Sequence, residues 1–172
     1  PIEGSKALFV TEDPLDAIAH SQLFPGARYA YLCTGGTSTK AQREMIHSFS
    51  QKFKLPIILG NDNDLAGQLE NFKLAYHTAN IEYAINSKTQ RVLLTVNGAE
   101  REWGKDEIVA ALQAVMKQRP NMILSIPWAK DWNDDLRSSK KSISLRIAEN
   151  MARVQIETTK SEQRGVIAGK LP

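Results

Sequence analysis

The sequence predicts an α/β fold built on a central, mainly parallel four-stranded sheet flanked by helices, with an inserted β-hairpin and helix. Two observations carry this expectation. Over the first eighty residues short apolar runs alternate with amphipathic ones, the pattern of successive βαβ units. A further apolar run, Met122 to Ile126, supplies a fourth strand after a segment of different character. With 172 residues and 42% hydrophobic composition, one domain with a sizeable core is expected over residues 1–157.

The elements follow in order. Ala7 to Val10 reads as a strand, Pro14 to Leu23 as a helix with proline in its first turn, and Tyr29 to Cys33 as a second strand. Ser38 or Thr39 caps a helix running through Phe53, Pro56 to Leu59 is a buried strand, and Leu65 to Ala79 is a third helix. Ile81 to Asn121 reads as an insertion packed at the edge of the sheet. Within it Arg91 to Val96 and Ala99 to Trp103 flank Asn97-Gly98, a dipeptide that accepts the positive φ angles of a type I′ hairpin turn. A helix from Lys105 to about Lys117 follows, and Ile143 to Val154 is expected to be a last helix before a loose, basic tail over residues 158–172.

Composition excludes several classes. No apolar run approaches the ~20 residues of a membrane span, and the first residues lack the pattern of a secretory leader, so a cytoplasmic protein is expected. The single cysteine, Cys33, excludes an intramolecular disulfide and a cysteine-based zinc cluster. Net charge is +3, yet from Arg137 to Pro172 eight Lys or Arg accompany only three Glu, so a mildly acidic body precedes a basic tail compatible with nucleic-acid contact and equally with a solvated helix surface. The chain opens at Pro1 and is expected to be part of a longer protein with flanking domains.

In a parallel α/β sheet ligands bind beyond the carboxyl ends of the strands. Here three strand ends deliver carboxylates. Glu12 follows the first strand with Asp16 four residues on, Asp62 and Asp64 follow the third, and Lys130, Asp131, Asn133, Asp134 and Asp135 follow the fourth. Each piece alone has a bland reading as a turn or a helix cap. Together, with oxygen donors and no nearby His or Cys, they select a hard cation, Mg²⁺ or Mn²⁺. An EF-hand loop from Asp62 fails, because Ala66 and Lys73 fall on ligand positions. The turn CTGGTSTK, with Gly35, Gly36 and Thr37, is either a tight connection or a phosphate-binding turn at a helix start.

In order and type these residues resemble the Toprim domain of DnaG-type primases, topoisomerases and OLD-family nucleases, with the primase-like branch nearest. Glu12 and Asp16 match the spacing of its Glu-Gly-x-x-Asp motif, GGTST resembles its Gly-Thr turn, Asp62, Asp64, Ala66 and Gly67 resemble Asp-x-Asp-x-Ala-Gly, and KDWND resembles the primase Lys-Asp-Pro-Asp. Asp13 stands where the family has glycine, and Trp132 and Asn133 replace the proline and second aspartate. The resemblance implies a Rossmann-like fold and Mg²⁺-dependent phosphoryl transfer on nucleic acid, DNA foremost, with nucleotides as further ligands. Glu12 would be the general acid or base, Asp62 and Asp64 would hold the cation with Glu12, Asp16 and Asp131 in support, and Lys130 would meet phosphate. Gly35, Gly36, Thr37, Asn133 and Asp134 would contact phosphate or nucleic acid.

Other readings remain. A non-catalytic Toprim-like module could bind metal, nucleotide or a partner, and an OLD-type nuclease or nicking domain would use the same residues. A receiver-like phospho-acceptor domain fits poorly, since it carries its acidic pair after the first strand. His20, His47 and His77 are expected to be structural or exposed, Trp128 and Trp132 to pack at the mouth of the site with base stacking as the alternative, and Trp103 to be core.

Overall fold

The computed structural model describes residues 2–140, and those up to Leu136 form one compact unit. The helix expected over Ile143 to Val154 and the basic tail lie outside the described residues. The elements are β1 (Ala7–Thr11), α1 (Pro14–Leu23), β2 (Tyr29–Cys33), α2 (Lys40–Phe53), β3 (Ile57–Leu59), α3 (Leu65–Ala75), β4 (Ile81–Asn86), β5 (Arg91–Val96), β6 (Ala99–Gly104), α4 (Lys105–Gln118) and β7 (Met122–Leu124). Residues 132–140 are helical as well.

The predicted four-stranded parallel sheet is present, in the order β2-β1-β3-β7. Phe9 of β1 stands opposite Tyr31 of β2 on one side and Ile58 of β3 on the other. The chain therefore leaves β1 outward to β2 and returns past it to β3, so the crevice between the tips of β1 and β3 is a topological switch point where α/β folds bind ligands.

β1 is buried along its whole length, and alternation splits it between two cores. Leu8 and Val10 join Ile46, Leu59, Leu69 and Leu74 on one face, whereas Phe9 packs with Ala19, Ile58 and Trp132 on the other. Burying a side chain such as Phe9, which has no exposure, contributes about 1.5–3 kcal/mol.

Capping chemistry sets the helix starts. Asp13 accepts a hydrogen bond from Leu15 N (2.7 Å) ahead of Pro14, and Thr39 exchanges bonds with Gln42 in a capping box. α3 stops at Ala75, short of the expected Ala79. Its last carbonyls are taken by side chains from elsewhere, Leu74 O by His47 Nε2 (2.8 Å) and Ala75 O by Arg119 Nη1 (2.6 Å).

The segment expected as a hairpin insertion is a three-stranded antiparallel sheet, β4-β5-β6, followed by α4. Asn97 and Gly98 have positive φ (51° and 85°), as the turn requires. The extra strand, β4, pairs Tyr83 with Leu94. Val92, Leu94, Ile108 and Leu112 bury themselves in the same core as Leu8 and Val10, so this segment completes the core and does not merely rest at an edge.

Candidate metal centre

Directly after β1 comes Glu12, half-buried, and one turn into α1 lies Asp16, which is 6% exposed. Gly60 follows β3, and its carbonyl accepts a hydrogen bond from Trp132 Nε1 (2.7 Å). Asn61 to Asp64 then form the acidic loop. Its shape is dictated by buried amides: Asn61 Nδ2 donates to Asn71 Oδ1 (3.0 Å), and Gln68 Nε2 donates to Asp62 O (2.8 Å). Asn63 ties this loop to the one after β7, its N donating to Lys130 O (2.7 Å) and its Nδ2 to Pro127 O (3.1 Å). Lys105 Nζ, from the start of α4, reaches Asn63 O and Oδ1, both at 3.3 Å.

The loop after β7 brings the last carboxylate. Asp131 accepts from Asp134 N (2.8 Å) and so caps the helical residues that follow, while Asp135 accepts from the amides of Trp128 (2.8 Å) and Ala129 (2.7 Å). The backbone amides of Asn133 and Trp132 also hydrogen-bond to Asp16. Three strand ends are thus stitched together at one place.

A cleft of about 460 Å³ opens there, lined by Glu12, Asp16, Gly35, Gly36, Asp62, Asp131 and Asn133 together with the α1 start. Thr37 is exposed and, like Asp134, is not among the lining residues. Neither are Asp64 and Lys130, but Asp64 acts on the charge of both Glu12 and Asp62, and Lys130 on that of Glu12. Lys130 Nζ stands 3.9 Å from Asp64 Oδ2, and Asp64 Oδ1 caps α3 by accepting from Gly67 N (2.9 Å).

The electrostatics are those of crowded carboxylates. Burial, then Asp16, Asp64, Asp131 and Glu12, push Asp62 up to about 7. Asp16 is raised to about 6 by burial and Asp131, against the lowering effect of the Asn133 amide. Glu12 is raised as well, first by burial and then by Glu70 and Asp64, with Lys130 opposing. A cation is the natural counterweight to such a cluster. The donors are all oxygen, which fits Mg²⁺ or Mn²⁺. Among the described residues no three acidic, His or Cys side chains are drawn tightly enough together to form a complete chelate, so ligands from elsewhere would have to finish the coordination.

In the glycine turn, Gly35 and Gly36 have φ of 71° and 113°, a region that favours glycine. Gly35 N donates to Glu12 O (2.9 Å), so its amide is spent on the strand-tip contact.

A Toprim-like family model matches residues 9–93, from within β1 to the start of β5. Over that stretch the chain is similar to a Toprim-like domain. No curated protein and no solved structure is significantly similar to it. A Toprim domain implies metal-dependent nucleic-acid processing in general terms. The match runs through β4, so residues 81–93 of the segment expected as an insertion lie inside the family's own pattern.

Several site-shaping residues escape sequence reasoning. Glu70, 5% exposed, accepts from Ser38 N (3.0 Å) and Oγ (2.7 Å) and pairs with Lys73, fixing the end of the glycine turn on α3. Trp132 is 4% exposed and belongs to the core, not the mouth of the site, whereas Trp128 is 95% exposed. Trp103 is half-buried against the core. As expected, the histidines are structural. His20 Nδ1 lies 3.0 Å from Tyr31 Oη, and His47 and His77 stack with centroids 3.4 Å apart.

Proposed function

We propose that this cleft is a Mg²⁺-dependent phosphoryl-transfer centre acting on nucleic acid, and that the chain is the catalytic core of a primase-like replication or mobilisation protein. One observation carries the reading: carboxylates from three strand ends face a single cleft at the switch point of the sheet, with Asp62 under the influence of four others. Asp62 and Asp16, with Asp131 and Asp64, would hold the cation. When bound, the cation supplies neutralising charge for the attacking and leaving oxygens of a phosphoryl group.

The chain's own groups do the rest. Glu12, with raised proton affinity, is suited to accept a proton from the attacking hydroxyl. Lys130, 63% exposed, contributes a mobile positive charge for a phosphate. The incomplete protein chelate suits a site that substrate phosphates finish.

A second reading, a non-catalytic metal- or nucleotide-binding module, draws support from Asp64 and Asp131, each of which spends an oxygen on a helix cap. Calorimetric titration with Mg²⁺ and Mn²⁺ tests the centre, and binding should be lost in Asp62→Asn. Primer synthesis and strand cleavage are then assayed with Glu12→Gln beside the parent. Activity that survives this change overturns the acid/base role, synthesis without cleavage favours the primase-like assignment, and cleavage alone favours a nuclease.

A further inference from the structure

Trp128 is the most exposed large apolar side chain of the described residues, at 95%, yet it sits on a loop braced by side-chain hydrogen bonds. Its own amide and that of Ala129 are held by Asp135 at 2.8 and 2.7 Å. On either side, Pro127 O and Lys130 O are held by Asn63, at 3.1 and 2.7 Å. A braced backbone presenting an indole to water is arranged for contact with something flat and apolar. Two residues on, Lys130 places a cation 3.9 Å from Asp64 at the acidic cluster.

We infer that Trp128 is a stacking platform for an unpaired nucleobase, with Lys130 meeting the phosphate that leads from this base toward the cleft. Every base has a π-face, so the contact is tolerant of sequence, and it requires a single strand because bases in a duplex already stack on one another. The assignment rests on the nucleic-acid reading of the cleft and extends it by naming single-stranded substrate and the residue that grips it.

The test is fluorescence anisotropy of a labelled single-stranded oligothymidylate titrated with the full chain, in parallel with an otherwise identical abasic strand. Trp128→Ala should weaken oligothymidylate binding roughly fivefold to a hundredfold, Trp128→Phe should retain most of it, and the abasic strand should not distinguish Trp128→Ala from the parent. The parent's exposed-indole emission should be quenched by oligothymidylate, and that quenching should vanish in Trp128→Ala. Equal binding by Trp128→Ala, or an equal loss on the abasic strand, overturns the stacking role and leaves an apolar protein partner as the better occupant. Calorimetry with Mg²⁺ separates the two claims: a parent that binds Mg²⁺ but shows no Trp128 effect overturns stacking alone, and a parent that binds neither overturns the cleft reading beneath it.

Discussion

Gly67 is pressed against the backbone of Asp62, so that a methyl group placed on Gly67 would stand 2.3 Å from the Asp62 carbonyl oxygen and 2.7 Å from its amide nitrogen. Gly67 needs space here, not special dihedrals. Both sides of the contact are backbone, so Gly67→Ala must push the acidic loop away from α3. A stability loss of about 1–3 kcal/mol is expected, with Mg²⁺ affinity reduced about tenfold to a hundredfold. Thermal unfolding and calorimetry of the variant check the two effects separately.

Asp62, raised to about 7, makes stability depend on pH. A carboxyl whose folded value lies above its unfolded one contributes stability in full below about 4, and loses it as pH rises through 7. His20 and His77, lowered to about 4 by burial, act in the opposite sense, because their contribution is lost as pH falls from about 6.5 toward 4. The Asp62 effect therefore appears cleanly only as a difference. Without divalent cations, Asp62→Asn should melt close to the parent near pH 4 and progressively above it as pH rises through 7.

Cation binding should release protons. Asp62 and Asp16, at about 7 and about 6, hold part of their proton population near neutrality and must surrender it to serve as ligands. Mg²⁺ affinity should rise from pH 5.5 to pH 8, and the apparent binding enthalpy should change with the ionisation enthalpy of the buffer. In Asp62→Asn that buffer dependence should shrink along with binding.

Glu70 and Lys73 are 5% and 3% exposed, and they pair within α3 while Ser38 completes the carboxylate's bonding. Removal of one partner strands a buried charge, at a cost of about 3–5 kcal/mol. Lys73→Met and Glu70→Gln should each destabilise the chain strongly in denaturant unfolding. The double variant should cost less than the sum of the two.

Trp132→Phe keeps an aromatic ring among Phe9, His20 and Phe24 but removes the only donor to Gly60 O given by a side chain among the described residues. An unsatisfied buried carbonyl costs about 1–3 kcal/mol. The melting temperature should fall accordingly, with the acidic loop, which begins at the next residue, showing the fastest amide exchange.

Much of the fold can be read from the sequence because local signals agree with tertiary ones. Pro14 behind Asp13, Thr39 with Gln42, and Asn97-Gly98 each mark a boundary with its own chemistry. β4 was hidden for the converse reason. The turn between β4 and β5 uses Gln90 at φ 52°, a residue with no turn signature, and the strand is exposed along nearly all its length. The acidic residues were legible as strand-tip positions, since a parallel sheet gathers whatever follows its strands. Their supports were not: Gln68, Asn71, Glu70 and Lys73 lie on a helix buried on all sides, where polar side chains bond one another without any periodicity to announce it. Trp132 lies in the core because the helix that carries it turns its indole toward Phe9, an orientation that no spacing in KDWND reveals.

The grip of Lys105 on Asn63 has a wider consequence. The acidic loop is held from α3, from the loop after β7 and from the first residue of α4, which means that much of the ordering of its ligands is already accomplished when the chain folds. The free energy that fixes the tertiary structure and the free energy available for holding a cation are, at this loop, drawn from the same bonds. A substitution in the second sheet, whose strand β6 leads directly into Lys105, would then register at the centre as a change in preorganisation.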